Sequence, residues 1–328
     1  PSSRGAEVAA TPRDAPSRHG SLHSRHRDEQ AVRFHYDVGN EFYRLWLDRR
    51  MVYSCAYFAD PGWSLDRAQE AKLDLVCRKL ELRPGQRLLD IGCGWGGLVL
   101  HAAARYGVNA VGITLSPSQA ELARQRIREA GLEDRCEVRV ADYRQMGRDE
   151  RFDRIASVGM VEHVGRRALP RYFAEAFRLL APGGLFMNHG IVSLEEPLGR
   201  VRRGLRRLRR RTTSFIEGYV FPDAELMPPT EVLEPAERQG FEVRDVESLR
   251  EHYARTLRHW VRRLEARADQ AIALVGEPTY RVWRLYMAAS ARLFQTARLG
   301  VIQTLLARPT EEGAVRIAPH RGHHLPEV

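Results

Sequence analysis

The sequence predicts an α/β fold with a doubly wound parallel sheet, on the evidence of three features. The stretch Leu88–Gly97 reads LLDIGCGWGG, an apolar run that ends in a glycine-rich turn, and the apolar residues from Leu98 to Tyr106 are typical of a helix. Predicted strands and helices alternate from Arg87 onward, as they do in proteins with a parallel sheet. Apolar residues make up 43% of the chain, which is enough for a packed core.

The strands and helices of this sheet are predicted from apolar runs and from their start and stop signals. The predicted strands cover residues 87–91, 109–115, 136–142, 152–159, 183–192 and 241–247. The predicted helices between them cover residues 96–106, 117–130 and 168–180. The second helix has the clearest boundaries, because Ser116 is a good N-cap, Pro117 suits the first helical position and Gly131 favours an end.

Residues 31–80, which precede the sheet, are predicted to form a helical lid. Aromatic residues are dense between residues 34 and 58, and a helix is predicted from Glu41 to Leu47. Two interpretations remain open at this point: the aromatic side chains pack on the core, or they cover a ligand site.

Changes in composition set the remaining boundaries. Residues 1–30 are rich in Ser, Arg, His and Pro and are predicted to be a disordered basic tail, and the polar residues 309–328 are predicted to be a second disordered tail. Between the tails we predict one domain over residues 31–308. After the lid, its predicted parts are a cofactor-binding core (81–192), a basic amphipathic insert and cap (193–230), and the last strands and substrate-side helices (231–308). Residues 251–306 are predicted to be helical, because their apolar residues recur at helical spacing.

The chain carries a net charge of +10, which favours anionic partners. Arginines crowd residues 200–211, and apolar residues at helical spacing in the same segment predict a basic amphipathic helix of the kind that lies on membranes. The predicted membrane-docking residues are Arg206, Arg207, Arg209 and Arg210. Nucleic acid is not the expected partner, because these arginines are not interleaved with aromatic residues that could stack on bases.

Other composition features predict a cytoplasmic protein that associates peripherally with the inner face of the membrane. The sequence has no run of about eighteen apolar residues that could cross a bilayer and no apolar core of a signal peptide. Its four cysteines lack CxxC spacing, which indicates reduced thiols and neither a disulfide framework nor a zinc site.

The glycine-rich turn fits two classes of nucleotide cofactor. Gly92, Gly94 and Gly97 match the dinucleotide pattern, whereas Asp90, Gly92, Gly94 and Gly96 match the pattern of enzymes that use S-adenosylmethionine (SAM). The glycines alone do not choose between them.

The ends of the next predicted strands carry further candidate ligand-binding residues, since ligands of such folds bind at the carboxyl ends of the strands. The second strand is followed by Thr114-Leu115-Ser116, with Gln119 one helical turn later. Enzymes of both cofactor classes usually carry a ribose-binding acid at this point. The absence of such an acid here weighs against NAD and is also unexpected for SAM. Asp142 and Tyr143 follow the third strand and suit an adenine, with the carboxylate on its amine and the ring on its face. Glu162 and His163 follow the fourth strand, and His189 lies in the fifth.

Together these motifs resemble the cyclopropane-fatty-acid synthase family, which includes the mycolic acid methyltransferases. The resemblance spans about residues 31–308. The matching segments are His35–Asn40, Tyr53–Phe58, Asp90–Gly97, Gly112–Gln119, Asp142–Arg144, Phe152–Ile155, Gly159–Gly165, Phe215–Pro222 and Glu247–Tyr253.

The resemblance implies a class I SAM-dependent methyltransferase that acts on a cis double bond of an acyl chain and closes a cyclopropane ring. It assigns the cofactor site to Tyr53, Ser54, Gly92, Gly94, Thr114, Leu115, Gln119 and Tyr143, to which the turn and the adenine pattern add Asp90, Gly96 and Asp142. It also implies a bound bicarbonate ion that serves as the base. The implied contacts of that ion are Cys55, Glu162, His189, Ile191 and Tyr253.

The expected partners are an unsaturated phospholipid or other acyl chain and an anionic membrane surface, and the oligomeric state, a dimer included, stays open. Aromatic faces of Tyr36, Phe42, Tyr57 or Tyr253 would stabilise the carbocation that methylation leaves on the chain. The sequence departs from the family at Ser290, where many members have a cysteine, and in the segment Phe221–Pro228.

Three alternatives remain open. The same carbocation could give a methylene- or methyl-branched or hydroxylated chain. The protein could be a small-molecule N-methyltransferase, or a non-enzymatic polyanion-binding module.

Overall fold

The computed structural model describes residues 27–28, 30, 38–194, 225–318 and 320. Several predictions fall outside these residues. They concern most of the N-terminal tail, the motif residues His35, Tyr36 and Asp37, the docking arginines Arg206, Arg207, Arg209 and Arg210, the segment Phe215–Pro222 and the end of the C-terminal tail.

The described residues form a seven-stranded sheet with the strand order β3-β2-β1-β4-β5-β7-β6. The strands are β1 (Arg87–Ile91), β2 (Asn109–Thr114), β3 (Cys136–Val140), β4 (Phe152–Val158), β5 (Leu180–Ser193), β6 (Glu242–Ser248) and β7 (Leu299–Ala307). Strands β1 to β5 pair in parallel, whereas β7 pairs antiparallel with both β5 and β6. The predicted doubly wound sheet is therefore confirmed, but it is mixed and not purely parallel.

The helices mostly connect these strands or follow them. They are α1 (Asn40–Trp46), α2 (Leu65–Lys79), α3 (Gly97–Tyr106), α4 (Pro117–Glu129), α5 (Val161–Val164), α6 (Leu169–Leu179), α7 (Pro229–Arg238), α8 (Arg250–Glu265), α9 (Ala268–Val275) and α10 (Glu277–Gln295). The predicted cap of α4 is present, since the Ser116 side chain accepts a hydrogen bond from the backbone nitrogen of Gln119. The sequence patterns predict neither α2 nor α7 as a separate helix.

Strand β7 corrects the prediction that residues 251–306 are helical throughout. The helical part ends at Gln295, Ala297 adopts a positive φ of 54°, and the chain returns between β5 and β6 as a strand. Nearly every residue of β7 is buried, so its sequence lacks the alternation of a half-exposed strand. A short apolar run of this kind cannot be distinguished from a buried helix by periodicity.

The core has three clusters of buried apolar residues. One lies between the sheet and helices α2 to α4, and includes Leu73, Val99 and Ala123. A second covers the opposite face with α6 and α7, and includes Phe173 and Val232. The third is an aromatic cluster that joins α1 to α8 and α10; we call Phe42, Tyr43, Trp46, Tyr253, Trp260, Trp283 and Phe294 the aromatic cluster.

This packing shows the surroundings of two predicted segments, the one before the sheet and the C-terminal tail. The aromatic side chains of α1 are buried in the aromatic cluster, and the segment that follows α1 borders the cavity described below. That the segment acts as a lid stays a prediction. Residues 309–318, predicted as part of a disordered tail, pack on the domain. Val315 and Ile317 are partly buried against the core, and the backbone nitrogen of Arg316 donates to the carbonyl of Gly183.

Candidate active site

A concave site lies at the carboxyl ends of β1, β2 and β4 and beside the turn after β3. It is lined by every predicted cofactor residue except Gly96: Tyr53, Ser54, Asp90, Gly92, Gly94, Thr114, Leu115, Gln119, Asp142 and Tyr143. We call this site the cofactor cavity. Its position is the one expected for a ligand of a doubly wound sheet.

The glycine-rich turn forms one wall of the cofactor cavity. Gly92, Gly94 and Gly96 all have positive φ angles, of 82°, 54° and 75°. A Cβ atom added at Gly94 would meet nothing within 4 Å, so the backbone there faces open space in which a ligand can approach it closely.

Gly96, the remaining predicted residue of the glycine-rich turn, packs closely against helix α4. A Cβ atom at this position would lie 3.2 Å from the Cβ atom of Ala123 on α4. Gly96 therefore permits close packing between α3 and α4, and its part in cofactor binding stays a prediction.

The turn after β2 presents a side chain amide to the cofactor cavity. The Thr114 hydroxyl donates to Oε1 of Gln119 over 2.7 Å, and Gln119 is almost fully buried. Because its oxygen is engaged in this way, the amide nitrogen of Gln119 is left as the donor that can serve a ligand.

The turn after β3 holds an acid and an aromatic ring in fixed positions. Arg144, which also lines the cavity, donates to both carboxylate oxygens of Asp142 at 2.8 and 2.5 Å, and it contacts Asp28 at 2.9 Å. Burial raises the pKa of Tyr143 to about 12, so this phenol is neutral at physiological pH. The Asp142 carboxylate keeps room for one more donor, such as the exocyclic amine of an adenine.

Sequence reasoning missed Lys72, which also lines the cofactor cavity. Its ammonium group donates to the Ser54 hydroxyl oxygen over 2.9 Å, and the residue is 2% exposed. Burial lowers the pKa of Lys72 to about 8 and raises the pKa of nearby Asp90 to about 7. The available signal was a lysine on the apolar stripe of a helix, at Lys72 between Ala68 and Val76.

Further lining residues come from the turns after β1 and β4, and of these only His163 is a candidate from the sequence. They are Cys93 and Trp95 after β1, and Met160 and His163 after β4. The Trp95 indole donates to the Asn40 side chain over 2.7 Å, which ties the turn after β1 to helix α1.

A second group of polar residues is centred on Glu162, which lies in the short helix α5. This helix packs against β5. The Oε1 atom of Glu162 accepts from the backbone nitrogen of Ile191 over 2.6 Å, while its buried Oε2 atom has no hydrogen-bond partner among the described residues. Burial raises the pKa of Glu162 to about 7. Gly190 makes room for this helix, because a Cβ atom there would lie 2.2 Å from a Val161 methyl carbon.

His189 lies two residues before Ile191 on β5 and is also buried. Its Nδ1 atom is 3.2 Å from the side-chain nitrogen of Gln303 on β7. The Gln303 side-chain oxygen is buried and has no hydrogen-bond partner among the described residues, so this amide can donate to Nδ1 or, turned over, accept from it. Burial lowers the pKa of His189 well below its usual value, so the ring is neutral.

Cys55 and Tyr253 meet at the start of α8. The Cys55 thiol donates to the carbonyl of Leu249 at 3.6 Å, and the backbone nitrogen of Tyr253 donates to the same carbonyl at 3.0 Å. Burial raises the pKa of the Cys55 thiol, so it is not a thiolate. Ile191 packs against the larger apolar cluster to which both Cys55 and Tyr253 belong.

The aromatic residues predicted to stabilise a cation differ in their surroundings. Phe42 and Tyr253 belong to the aromatic cluster, and the Tyr253 ring lies 4.7 Å from that of Phe294. One face of Tyr57 is stacked on His252 at 4.8 Å. All four cysteines are free and buried.

Comparison with known families identifies one match over most of the chain. The family described as "Mycolic acid cyclopropane synthetase" matches residues 23–304.

Named relatives and solved structures agree with this match. A Pseudomonas putida protein named "Probable fatty acid methyltransferase" is 46% identical over 291 residues, which are 89% of this chain and 72% of that protein. "Cyclopropane mycolic acid synthase 1" of Mycobacterium tuberculosis is 39% identical over 274 residues, which are 83% of this chain and 94% of that protein. The crystal structure of the mycolic acid cyclopropane synthase CmaA1 complexed with SAH and CTAB superimposes with a TM-score of 0.77 at 38% identity, and covers 85% of this chain and 98% of that one.

Proposed function

The chain belongs to the mycolic acid cyclopropane synthetase family of SAM-dependent methyltransferases that act on fatty acyl chains, and from this premise we propose that it closes a cyclopropane ring across a cis double bond of a phospholipid acyl chain. The observation that carries the proposal is the buried Glu162 carboxyl group. One of its oxygens is held by the Ile191 nitrogen and the other is left without a partner among the described residues.

The residues of the cofactor cavity fit SAM. Gly94 leaves open space beside the backbone, Gln119 offers an amide nitrogen, and Asp142 beside Tyr143 offers an acceptor and a ring for an adenine. When bound, SAM supplies an electrophilic methyl group. An alkene can attack such a group without a base to activate it, so the cavity needs to position the donor and not to deprotonate the acceptor.

The aromatic cluster suits the stage after methyl transfer, when the acyl chain carries a positive charge. Buried rings exclude water that would otherwise capture the cation. Their electron-rich faces attract positive charge, typically by about 0.5–2 kcal/mol for each ring. Phe42 and Tyr253 are the members that we expect to serve in this way.

The group around Glu162 suits the loss of a proton from the added methyl. Glu162 and His189 provide a carboxyl oxygen and a ring N–H, and Tyr253 and Cys55 lie at the adjoining corner. These residues, with the Ile191 backbone, would hold bicarbonate, which would supply the base when bound. The orphaned Oε2 atom of Glu162 fits such an additional hydrogen-bonding group, because a buried polar atom without a partner is costly.

A branched chain is the second candidate product, because a relative that is 46% identical is named a fatty acid methyltransferase and not a cyclopropane synthase. SAM with a trideuterated methyl group distinguishes the two in an assay with purified protein and vesicles of unsaturated phospholipid. Ring closure must remove one deuterium from the transferred methyl, whereas a methyl branch formed by proton loss from the neighbouring carbon keeps all three. Mass spectrometry and NMR of the released acyl chains read the outcome, and complete retention of deuterium would overturn the cyclopropane proposal.

We further propose that the arginine-rich segment docks the protein on anionic membranes. No helix in the described ranges is both long and apolar enough to cross a bilayer. Each basic residue close to an anionic surface contributes about 1 kcal/mol of attraction. Replacement of Arg206, Arg207, Arg209 and Arg210 by Gln should therefore abolish sedimentation with anionic vesicles and spare methylation of a detergent-dispersed substrate. Vesicle binding at low salt that matches the unmodified protein would contradict the docking proposal.

A further inference from the structure

Two buried lysines on helix α2 have very different surroundings. Lys79 and Lys72 are both 2% exposed. The Lys79 ammonium pairs with Asp245 at 3.1 Å and also contacts Glu247. Lys72 has no carboxylate within ion-pair distance among the described residues, and its one hydrogen-bond partner there is the uncharged Ser54 hydroxyl.

This difference points to a missing counter-ion at Lys72. Removing an ammonium group from water is costly unless its charge is paired, as the charge of Lys79 is with two carboxylates. Lys72 lines the cofactor cavity, and the nearby carboxylates of Asp48 and Asp90 lie beyond ion-pair distance from it, so a ligand in the cavity can provide a directly paired negative charge.

The Ser54 hydroxyl extends the same arrangement into the cavity. Its oxygen accepts the hydrogen bond of Lys72, which leaves the hydroxyl proton to donate to another acceptor. Two donors on one side of the cavity, one of them charged, suit a carboxylate.

Asp90 provides the opposite charge on the neighbouring wall. It ends strand β1 and lines the same cavity, and it is close enough to Lys72 for each to influence the charge of the other. A cation and an anion on adjoining walls are complementary to a zwitterion, such as the amino-acid end of SAM.

We propose that Lys72, with Ser54, binds the carboxylate of the methionyl part of SAM, and that Asp90 faces the α-ammonium group of the same part. This inference deepens the proposed function and rests on its assignment of SAM to the cofactor cavity. With the adenine at Asp142 and Tyr143, it fixes both ends of the cofactor and therefore its direction in the cavity.

Decarboxylated SAM tests the proposal, because it lacks the carboxylate and keeps the ammonium, the sulfonium and the adenosine. Isothermal titration calorimetry would measure the binding of both ligands to the purified full-length chain. We expect the unmodified protein to prefer SAM by roughly 10- to 100-fold, the usual range for a hydrogen bond to a charged group. In Lys72→Met that preference should fall by about tenfold, with any remainder supplied by the Ser54 hydroxyl, because SAM weakens while decarboxylated SAM binds within about threefold of its original affinity.

Lys79→Met is the matched control, since it removes a buried lysine of the same helix that does not line the cavity. It should leave the preference for SAM unchanged, whatever it does to thermal stability. Ser54→Ala gives a second measurement that does not depend on whether Lys72→Met folds, and it should reduce the preference by about five- to tenfold.

Equal weakening of both ligands in Lys72→Met, with the preference intact, would overturn the inference and assign Lys72 a structural role. Equal affinity of the two ligands for the unmodified protein would overturn it as well. Failure of the unmodified protein to bind either ligand would instead contradict the assignment of SAM itself, so the two failures are distinguishable.

Discussion

The cofactor cavity and the group around Glu162 are built in opposite ways. Most of the cavity comes from short turns that directly follow β1, β2, β3 and β4, so its residues lie within a few positions of a strand end. The Glu162 group is assembled from distant parts of the chain. Its contacts join residues that are 29, 114 and 194 positions apart, in the pairs Glu162–Ile191, His189–Gln303 and Cys55–Leu249.

The two regions also differ in the charged side chains that they contain. The cofactor cavity holds groups of both signs, including Lys72, Asp90 and the pair Asp142–Arg144. Glu162 is an isolated carboxyl group whose ionisation is opposed mainly by burial. Under the proposed function, the first region binds the charged cofactor and the second provides a carboxyl group close to the apolar substrate. Substitutions in the two regions should therefore fail in different ways.

The largest expected effect is on cofactor binding, through Gly94→Asp. The new side chain would fill the open space beside the turn, and we expect SAM affinity to fall by about a thousandfold, or about 4 kcal/mol. Calorimetric titration with SAM measures the loss. Gly131→Asp is the matched control, because Gly131 has a similar positive φ of 62° and open surroundings but does not line the cavity. Normal SAM binding by Gly94→Asp would refute the cofactor assignment.

The next largest effect is expected on turnover, with SAM binding unchanged. Glu162→Gln keeps the oxygen that accepts from Ile191, and Tyr253→Phe keeps the ring in the aromatic cluster, so both variants should fold and bind SAM. Turnover should fall by about a hundredfold or more in Glu162→Gln, the usual cost of losing a positioned acid–base group. Tyr253→Phe should also lose most of its turnover. If both variants form product at nearly normal rates, the bicarbonate proposal and the division between the two regions are wrong.

A pH experiment examines the charge of Glu162 without any assay of activity. Burial raises its pKa from 4.5 to about 7, so the folded protein binds more protons than the unfolded chain between these values, and stability is lost as the pH rises through that window. Glu162→Gln lacks this loss and should gain up to about 3 kcal/mol relative to the unmodified protein between pH 4.5 and pH 8. Thermal or urea unfolding in bicarbonate-free buffer measures the difference. Parallel stability curves over this range would show that the carboxyl group ionises normally.

The smallest expected effect is at Ser290, where many members of the family carry a cysteine. Ser290 is buried in helix α10, outside both regions, and methylation of an alkene requires no nucleophile at that point. Ser290→Ala should change turnover by less than about threefold and stability by less than about 1 kcal/mol. A large loss of turnover with normal SAM binding would extend the catalytic region to α10.

The sequence by itself determined the family, the doubly wound sheet and most of the residues that line the cofactor cavity. Signals of this kind are local: Asp90 and Gly94 belong to one turn, and Thr114 and Gln119 belong to the next. Each turn directly follows a strand, and the carboxyl ends of parallel strands must meet at one edge of the sheet. The order of residues along the chain therefore already placed these side chains together.

Only the tertiary structure decided the position of β7, the packing of Gly96 and the environments of Lys72 and Glu162. Strand β7 is buried on both faces, so its sequence carries no period that distinguishes it from the helix before it. Gly96 matches the pattern of a ligand-binding turn, and only the 3.2 Å approach to Ala123 shows that it also allows a close contact between helices. The charge of a buried group depends on which partners long-range packing supplies, and Lys79 finds two carboxylates where Lys72 finds a hydroxyl. Such pairings join residues that are far apart in the sequence, so no local pattern predicts them. They form because packing of the whole core brings these residues together.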